Sequence, residues 1–177
     1  MKSRIIFFLA ITGILITAVS CDQAAEKKID PEMVEKTAKE EDKVKNQQAF
    51  LDRLNIHLNA VSSKDLETLK GTMSPYGAMQ FILPGQEVLE GVDEFINYHV
   101  AWFAEDNGWT MESTVESATI GETMGMAIVK MTYKEPERDG KPYFNRMVVS
   151  YDLEKIDGTW YVIKDHASSI EKSTDSD

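Results

Sequence analysis

Cysteine is almost missing: Cys21 is the only one in 177 residues, so no intrachain disulfide can form and the fold must rest on its core. Cysteine-based zinc spacing is excluded for the same reason. Basic side chains are scarce, 19 Lys and Arg against 30 Asp and Glu, for a formal net charge of -11. That balance excludes nucleic acid, whose affinity comes from basic groups displacing counterions, and it disfavours attraction to anionic lipid headgroups. Apolar runs are short. The longest, residues 5–19, is at the upper end of a signal-peptide core and below the roughly 20 residues of a spanning helix. There is no internal repeat, no Gly-rich phosphate loop, no nucleophile motif and no paired-carboxylate constellation. The three histidines, His57, His99 and His166, share no ligand-like spacing, so neither a metal nor a cofactor is expected.

What is present begins with an export signal. Lys2 and Arg4 precede the apolar run, and small residues follow at Ala18 and Ser20. Residues 1–20 therefore read as a signal peptide. Ala18-Val19-Ser20-Cys21 resembles the lipobox of bacterial lipoproteins, with Ala18 where leucine is usual. That resemblance implies a lipid chain (diacylglyceryl, palmitate-type) on Cys21 and an anchor at the periplasmic face of an envelope membrane. A thioether-linked lipid also disposes of a lone exposed thiol. Ala18-x-Ser20 equally suits ordinary signal peptidase, which would leave a secreted protein. Cleavage before Cys21 removes Lys2 and Arg4, leaving 17 basic against 30 acidic side chains and a charge near -13.

Residues 21–48 are a polar tether with charges of both signs, and Asp30-Pro31 is a good helix start. A domain is expected over 49–170. Phe50, Leu54, His57, Leu58 and Val61 recur at three and four, the stripe of an amphipathic helix. Ser62-x-x-Asp65 has the form of a capping box for a short second helix carrying Leu66 and Leu69. AMQFIL (78–83) reads as a strand ending at Pro84-Gly85, and a third helix follows Gly91 with Val92, Phe95, Ile96, His99 and Phe103 on one face. Four β-rich stretches then run over 109–120, 123–135, 143–154 and 159–170, with turn signals at Gly121-Glu122, Asp139-Gly140 and Asp157-Gly158. Residues 171–177 read as a disordered polar tail. Helices first and an antiparallel meander afterwards define an α+β domain with one core.

Several residues suggest a site. His99 lies on an inward helical face and suits general acid–base work. Asp165 and His166 are strand neighbours, so only one can reach an interior. Alternation groups Asp165 with Tyr161 and Ile163, and His166 with Trp160, Val162 and Lys164. Arg146, mid-strand beside Phe144 and Val148, suits either a carboxylate or enolate ligand or an acidic partner on the next strand. Met79, Phe81, Met124, Met126, Met131 and Tyr133 supply apolar lining for a deformable pocket.

The runs LNAVSSKDLETLKGTMSP (58–75), LPGQEVLEGVDEFINYHVAWF (83–103) and DLEKIDGTWYVIKDHASS (152–169), in that order, resemble the SnoaL-like group of the nuclear transport factor 2-like superfamily. The resemblance implies a cone, in which a strongly curved antiparallel sheet wraps a long N-terminal helix and two shorter ones. It also implies dimers through the outer sheet surface in many members. Activities in the group include isomerases, cyclases and dehydratases beside domains that only bind. An inward carboxylate serves the cyclases as acid–base, which points to Asp165, with His99 as the other candidate and Arg146 or Tyr133 stabilising an oxyanion. Two functions follow as expectations: a membrane-tethered domain binding a small apolar or amphipathic molecule or a protein partner, or an enzyme moving a proton beside a carbonyl.

Overall fold

The computed structural model describes residues 31–175. The signal peptide, Cys21 and the start of the tether lie outside the described residues. A helix α1, Pro31–Ser63, is followed by α2, Leu66–Gly71, then strands β1 (Gln80–Ile82) and β2 (Val88–Glu90) and helix α3 (Val92–Phe103). Four long strands complete the chain: β3 (Thr110–Ile120), β4 (Met124–Arg138), β5 (Lys141–Ile156) and β6 (Thr159–Lys172). They form one six-stranded sheet in the order β2-β1-β6-β5-β4-β3. Every pair is antiparallel except β1 with β6, which is parallel, a departure from the all-antiparallel expectation.

The expected helical stripe on α1 is the core-facing one: Phe50, Leu54, His57, Leu58 and Val61 are all buried. The polar half of the same helix, from Pro31 to Lys45, is largely exposed and carries surface ion pairs such as Lys39 with Glu35 at 2.7 Å. Such pairs add little stability. Docking begins at Asn46, whose amide donates to the Gly121 carbonyl at 2.8 Å and accepts from Lys155 Nζ at 2.8 Å. Among the described residues no helix is long and apolar enough to cross a membrane.

Two local expectations are corrected. Ser62 still belongs to α1, its hydroxyl bonded to the Asn59 carbonyl; the cap of α2 is Asp65, which accepts from the Thr68 backbone N–H at 3.0 Å and from its hydroxyl. The reversal is completed at Lys64, which takes a left-handed φ of 60°. At the other end, β6 continues to Lys172, pairing Glu171 with Arg146 and Lys172 with Asn145. Ser173 adds bonds to Phe144 through its N–H at 3.1 Å and its hydroxyl at 3.2 Å, so residues 171–173 are held on the sheet.

The two Asp-Gly turns behave as their sequence demands. Asp139-Gly140 and Asp157-Gly158 both have positive φ at both positions, the signature of tight hairpins whose twist matches the strands. Curvature comes from bulges. β3 carries an extra residue at Glu116, and β6 carries two, at Ile163 and Ile170. Each bulge bends its strand and sharpens the twist, which wraps the sheet about α1. Inward side chains on β5 alternate strictly: Tyr143, Asn145, Met147, Val149, Tyr151 and Leu153 are buried.

Candidate functional site

The concave face of the sheet, α1 and α3 enclose a cavity of about 290 Å³. It lies at the small end of the usual range for ligand pockets. Its floor is built from three places. α1 contributes His57, α3 contributes Tyr98 and His99, and the sheet contributes Tyr151 and Asp165, which are direct register partners on β5 and β6. Aromatic rings form much of the wall, among them Phe81, Trp102 and Tyr143. Phe81 meets the Tyr98 ring at 5.2 Å and the His99 ring at 5.7 Å, and Trp102 stacks on Trp109 at 4.6 Å.

Asp165 reaches the cavity because of the bulge at Ile163. Simple alternation places it with Tyr161 and Ile163, away from Trp160 and Val162. The extra residue resets the phase, so Trp160, Val162 and Asp165 all point inward and His166 is exposed. Asp165 is 4% exposed, and its Oδ1 has no hydrogen-bond partner within the protein. Burial without a cation pushes its carboxyl well above the usual range and favours the protonated form.

Both inward histidines have fixed tautomers. The Thr72 hydroxyl spends its hydrogen on the Leu69 carbonyl at 2.6 Å, so His57 Nδ1, 2.8 Å away, must donate to it. His57 Nε2 is therefore a bare acceptor, buried and unpartnered. His99 Nδ1 donates to the Phe95 carbonyl at 2.8 Å, which likewise leaves Nε2 as the acceptor. Burial lowers the pKa of His57 to about 3, with the neighbouring His99 adding to the effect, and lowers that of His99 to about 4. The floor thus combines a carboxyl whose burial favours its neutral form with two neutral bases.

A second polar cluster stands where the lining becomes exposed, at Arg138 and Glu105. Glu135 is buried and receives the Tyr133 hydroxyl at 2.6 Å and Arg138 Nε at 2.9 Å. The Arg138 guanidinium lies 3.5 Å from the centre of the Tyr143 ring. Arg138 holds the Glu135 carboxyl below its ordinary value, and burial together with Glu135 lifts the Tyr133 phenol to about 12.

His99, Asp165, Phe81, Tyr133 and Met131 line the cavity as expected from sequence. Four expected contributors do not. Arg146 lies on the outer face, paired with Glu171 and set 4.8 Å over the Phe144 ring, because it occupies the strand parity opposite Asn145 and Met147. Met126 is 44% exposed on the outer parity of β4, and Met124 is exposed with it. Met79 is buried in the core rather than in the wall. The arginine of the cavity is Arg138. Sequence reasoning also passed over Tyr98, Tyr151, Asn145 and Glu135; the alternation of β5 carries the signal for Tyr151 and Asn145, whereas Glu135 is the last residue of the expected 123–135 strand and Arg138 lies past its end, where β4 runs on.

Fold and site together define a small α+β domain that shelters a buried, unpaired carboxyl and two imidazole acceptors in an aromatic hollow. Residues 51–171 match the SnoaL-like domain, and the chain belongs to that family. No curated protein sequence matches it. Solved structures share the nuclear transport factor 2-like fold at low identity. A hexachlorocyclohexane dehydrochlorinase (LinA, type 2) is 12% identical with a TM-score of 0.65, over 76% of this chain and 91% of that one. A ketosteroid isomerase-like protein from Erwinia carotovora atroseptica is 15% identical with a TM-score of 0.60, over 70% and 95%. A cystatin-like-fold protein from Caulobacter vibrioides is 16% identical with a TM-score of 0.61, over 72% and 91%. At these identities the likeness concerns the fold.

Proposed function

We propose that this protein is a lipid-tethered envelope domain that binds a small molecule in its cavity, the apolar body against the aromatic walls and the polar end against Asp165, His57 and His99. One observation carries the reading. Asp165 Oδ1 and His57 Nε2 are both buried and unpaired at residues that line the same cavity. Leaving a buried polar atom without a partner destabilises a fold by roughly 1–3 kcal/mol, so two of them in one hollow favour a binding role over core filling. The test is thermal shift with a panel of small ring compounds, on the wild type and on Ala167→Phe, which fills the cavity. Ligands should raise the melting temperature of the wild type and leave the variant unmoved. Equal shifts in both proteins would remove the cavity from the account.

The neutral acid beside two bases also favours a second reading, in which the bound molecule undergoes proton transfer. Asp165 would donate to a carbonyl or leaving group while an imidazole Nε2 accepts a proton from carbon. Their low basicity requires a substrate with an acidic C–H. The solved dehydrochlorinase and isomerase-like neighbours make such chemistry a natural comparison.

The tether reading rests on the sequence around Cys21. With a lipid at Cys21, the polar half of α1, which begins at Pro31, would stand between the anchor and the domain. Mass spectrometry of the mature N-terminus should find acylated Cys21; a free thiol there would make the protein secreted.

A further inference from the structure

We infer that the cavity takes a primary or secondary ammonium carried on an apolar ring, its N–H groups directed at Asp165 and at Nε2 of His57. This rests on the binding reading above and names the ligand class. The first support is the polarity of the unpaired atoms. Among the described residues, the buried side-chain atoms of the cavity without a partner are His57 Nε2, Asp165 Oδ1 and Asn145 Oδ1. His57 Nε2, fixed in that role by the Thr72–Leu69 relay, and Asn145 Oδ1 are acceptors, and Asp165 becomes one when its proton is released. A donor-bearing ligand satisfies them, whereas a carboxylate would bring acceptors to acceptors.

The second support is the balance of charge. Glu105 and Asp165 line the cavity with one cationic side chain, Arg138, and Arg138 is engaged by Glu135 behind the wall and stacked on Tyr143. Asp165 therefore has no cation of its own. Its register partners are Tyr151 on β5 and Phe81 on β1, and Tyr98 and His99 on α3 and His57 on α1 line the same cavity. None of these is cationic at neutral pH, since burial depresses both histidines. The third support is the wall itself, where the faces of Phe81, Tyr98 and Trp102 offer cation–π attraction in a desolvated setting. On binding, Asp165 gives its proton to the buffer, and the carboxylate then accepts from the ammonium.

Isothermal titration at neutral pH with three probes of similar shape tests this: phenethylamine as the cation, phenethyl alcohol as the neutral form and hydrocinnamate as the anion. Phenethylamine should bind at least about tenfold more tightly than the alcohol, as expected for a charge-assisted pair, with hydrocinnamate weakest. Its heat should vary with the ionisation enthalpy of the buffer, reporting one proton released. Asp165→Asn should erase both the preference and the proton. Because the buffer dependence is read on the wild type, the test survives a variant that fails to fold. Alcohol binding as tight as amine binding, or amine binding unchanged in Asp165→Asn, overturns the ammonium inference and leaves the cavity reading standing. A folded wild type that binds none of the three overturns both.

Discussion

Urea unfolding measured across pH is expected to show a stability maximum near pH 6.5, with losses on both sides. Three buried groups set this shape. Below about 6.5 the unfolded chain protonates both histidines, but the folded chain keeps His99 neutral to about 4 and His57 to about 3. Their folded pKa values lie below the unfolded ones, so their contribution is present above 6.5 and is lost as pH falls. Asp165 has the opposite sign. The folded chain retains its proton while the unfolded aspartate gives it up above 3.8, so its contribution is largest below 3.8 and is lost as pH rises. Between about 6.5 and 4 the unfolded state binds two more histidine protons and one fewer aspartate proton. The net is one, or about 1.4 kcal/mol lost per pH unit on acidification.

Above pH 6.5 Asp165 acts alone, and stability declines at a similar rate until its raised pKa is reached. Asp165→Asn should abolish this alkaline limb and steepen the acid one to about twice the slope, since both histidine terms then stand unopposed. The Glu135 carboxyl, held low by Arg138, contributes stability that is constant above its ordinary value of 4.5 and is lost only as pH falls below it, at the acid edge of the window. A wild-type curve that is flat from pH 6 upward, or unchanged by the substitution, would mean that Asp165 is solvated or paired.

The second large effect is expected at Phe50, where α1 locks into the sheet. Its ring is fully buried and meets Trp160 edge-on at 5.2 Å. It also lies directly over Gly125, where an added Cβ would come within 2.6 Å of the ring edge. Phe50→Ala should destabilise the domain by about 3–5 kcal/mol through lost burial and a residual cavity. Gly125→Ala should cost about 1–3 kcal/mol, because a rigid buried ring cannot yield and the Thr119 carbonyl crowds the same position at 3.3 Å. Combined, the two should cost less than their sum, since the smaller side chain makes room for the new methyl. Denaturant midpoints of the three variants measure this coupling. Strict additivity would mean that Phe50 and Gly125 do not share the contact described.

The fold was legible in the chain to the extent that periodicity alone could carry it. The α1 stripe, the α3 face and the Asp-Gly hairpins are local signals, and each is realised where the sequence places it. What was hidden depends on register. A single inserted residue at Ile163 reverses the parity of the residues after it as far as the second bulge at Ile170, and no local preference of Ile163 announces a bulge. Asp165 was thus a candidate through family resemblance, while alternation grouped it with the wrong neighbours. Arg146 shows the converse. A mid-strand arginine attracts suspicion as a ligand group, yet its parity sends it outward to Glu171, a residue read from sequence as part of a free tail. β2 escaped notice because three residues after a Pro-Gly turn carry too little pattern to register as a strand.

The cavity's polar chemistry was harder still to read, because it depends on contacts among distant segments. His57 becomes a fixed acceptor only through Thr72, fifteen residues on, whose hydroxyl is itself spent on Leu69. Tyr151 and Asp165 meet only through the β5–β6 register. Neither relation has a motif in the linear chain.

The most direct test is a carbon-13 titration of the aspartate side-chain carboxyls, with Asp165→Asn assigning the resonance. The account predicts one aspartate, Asp165, that remains protonated at neutral pH while the others ionise in the ordinary acid range, and whose resonance shifts when phenethylamine saturates the cavity. If every aspartate carboxyl is ionised at neutral pH, and none responds to the amine, then no neutral acid waits in the hollow and the account is wrong.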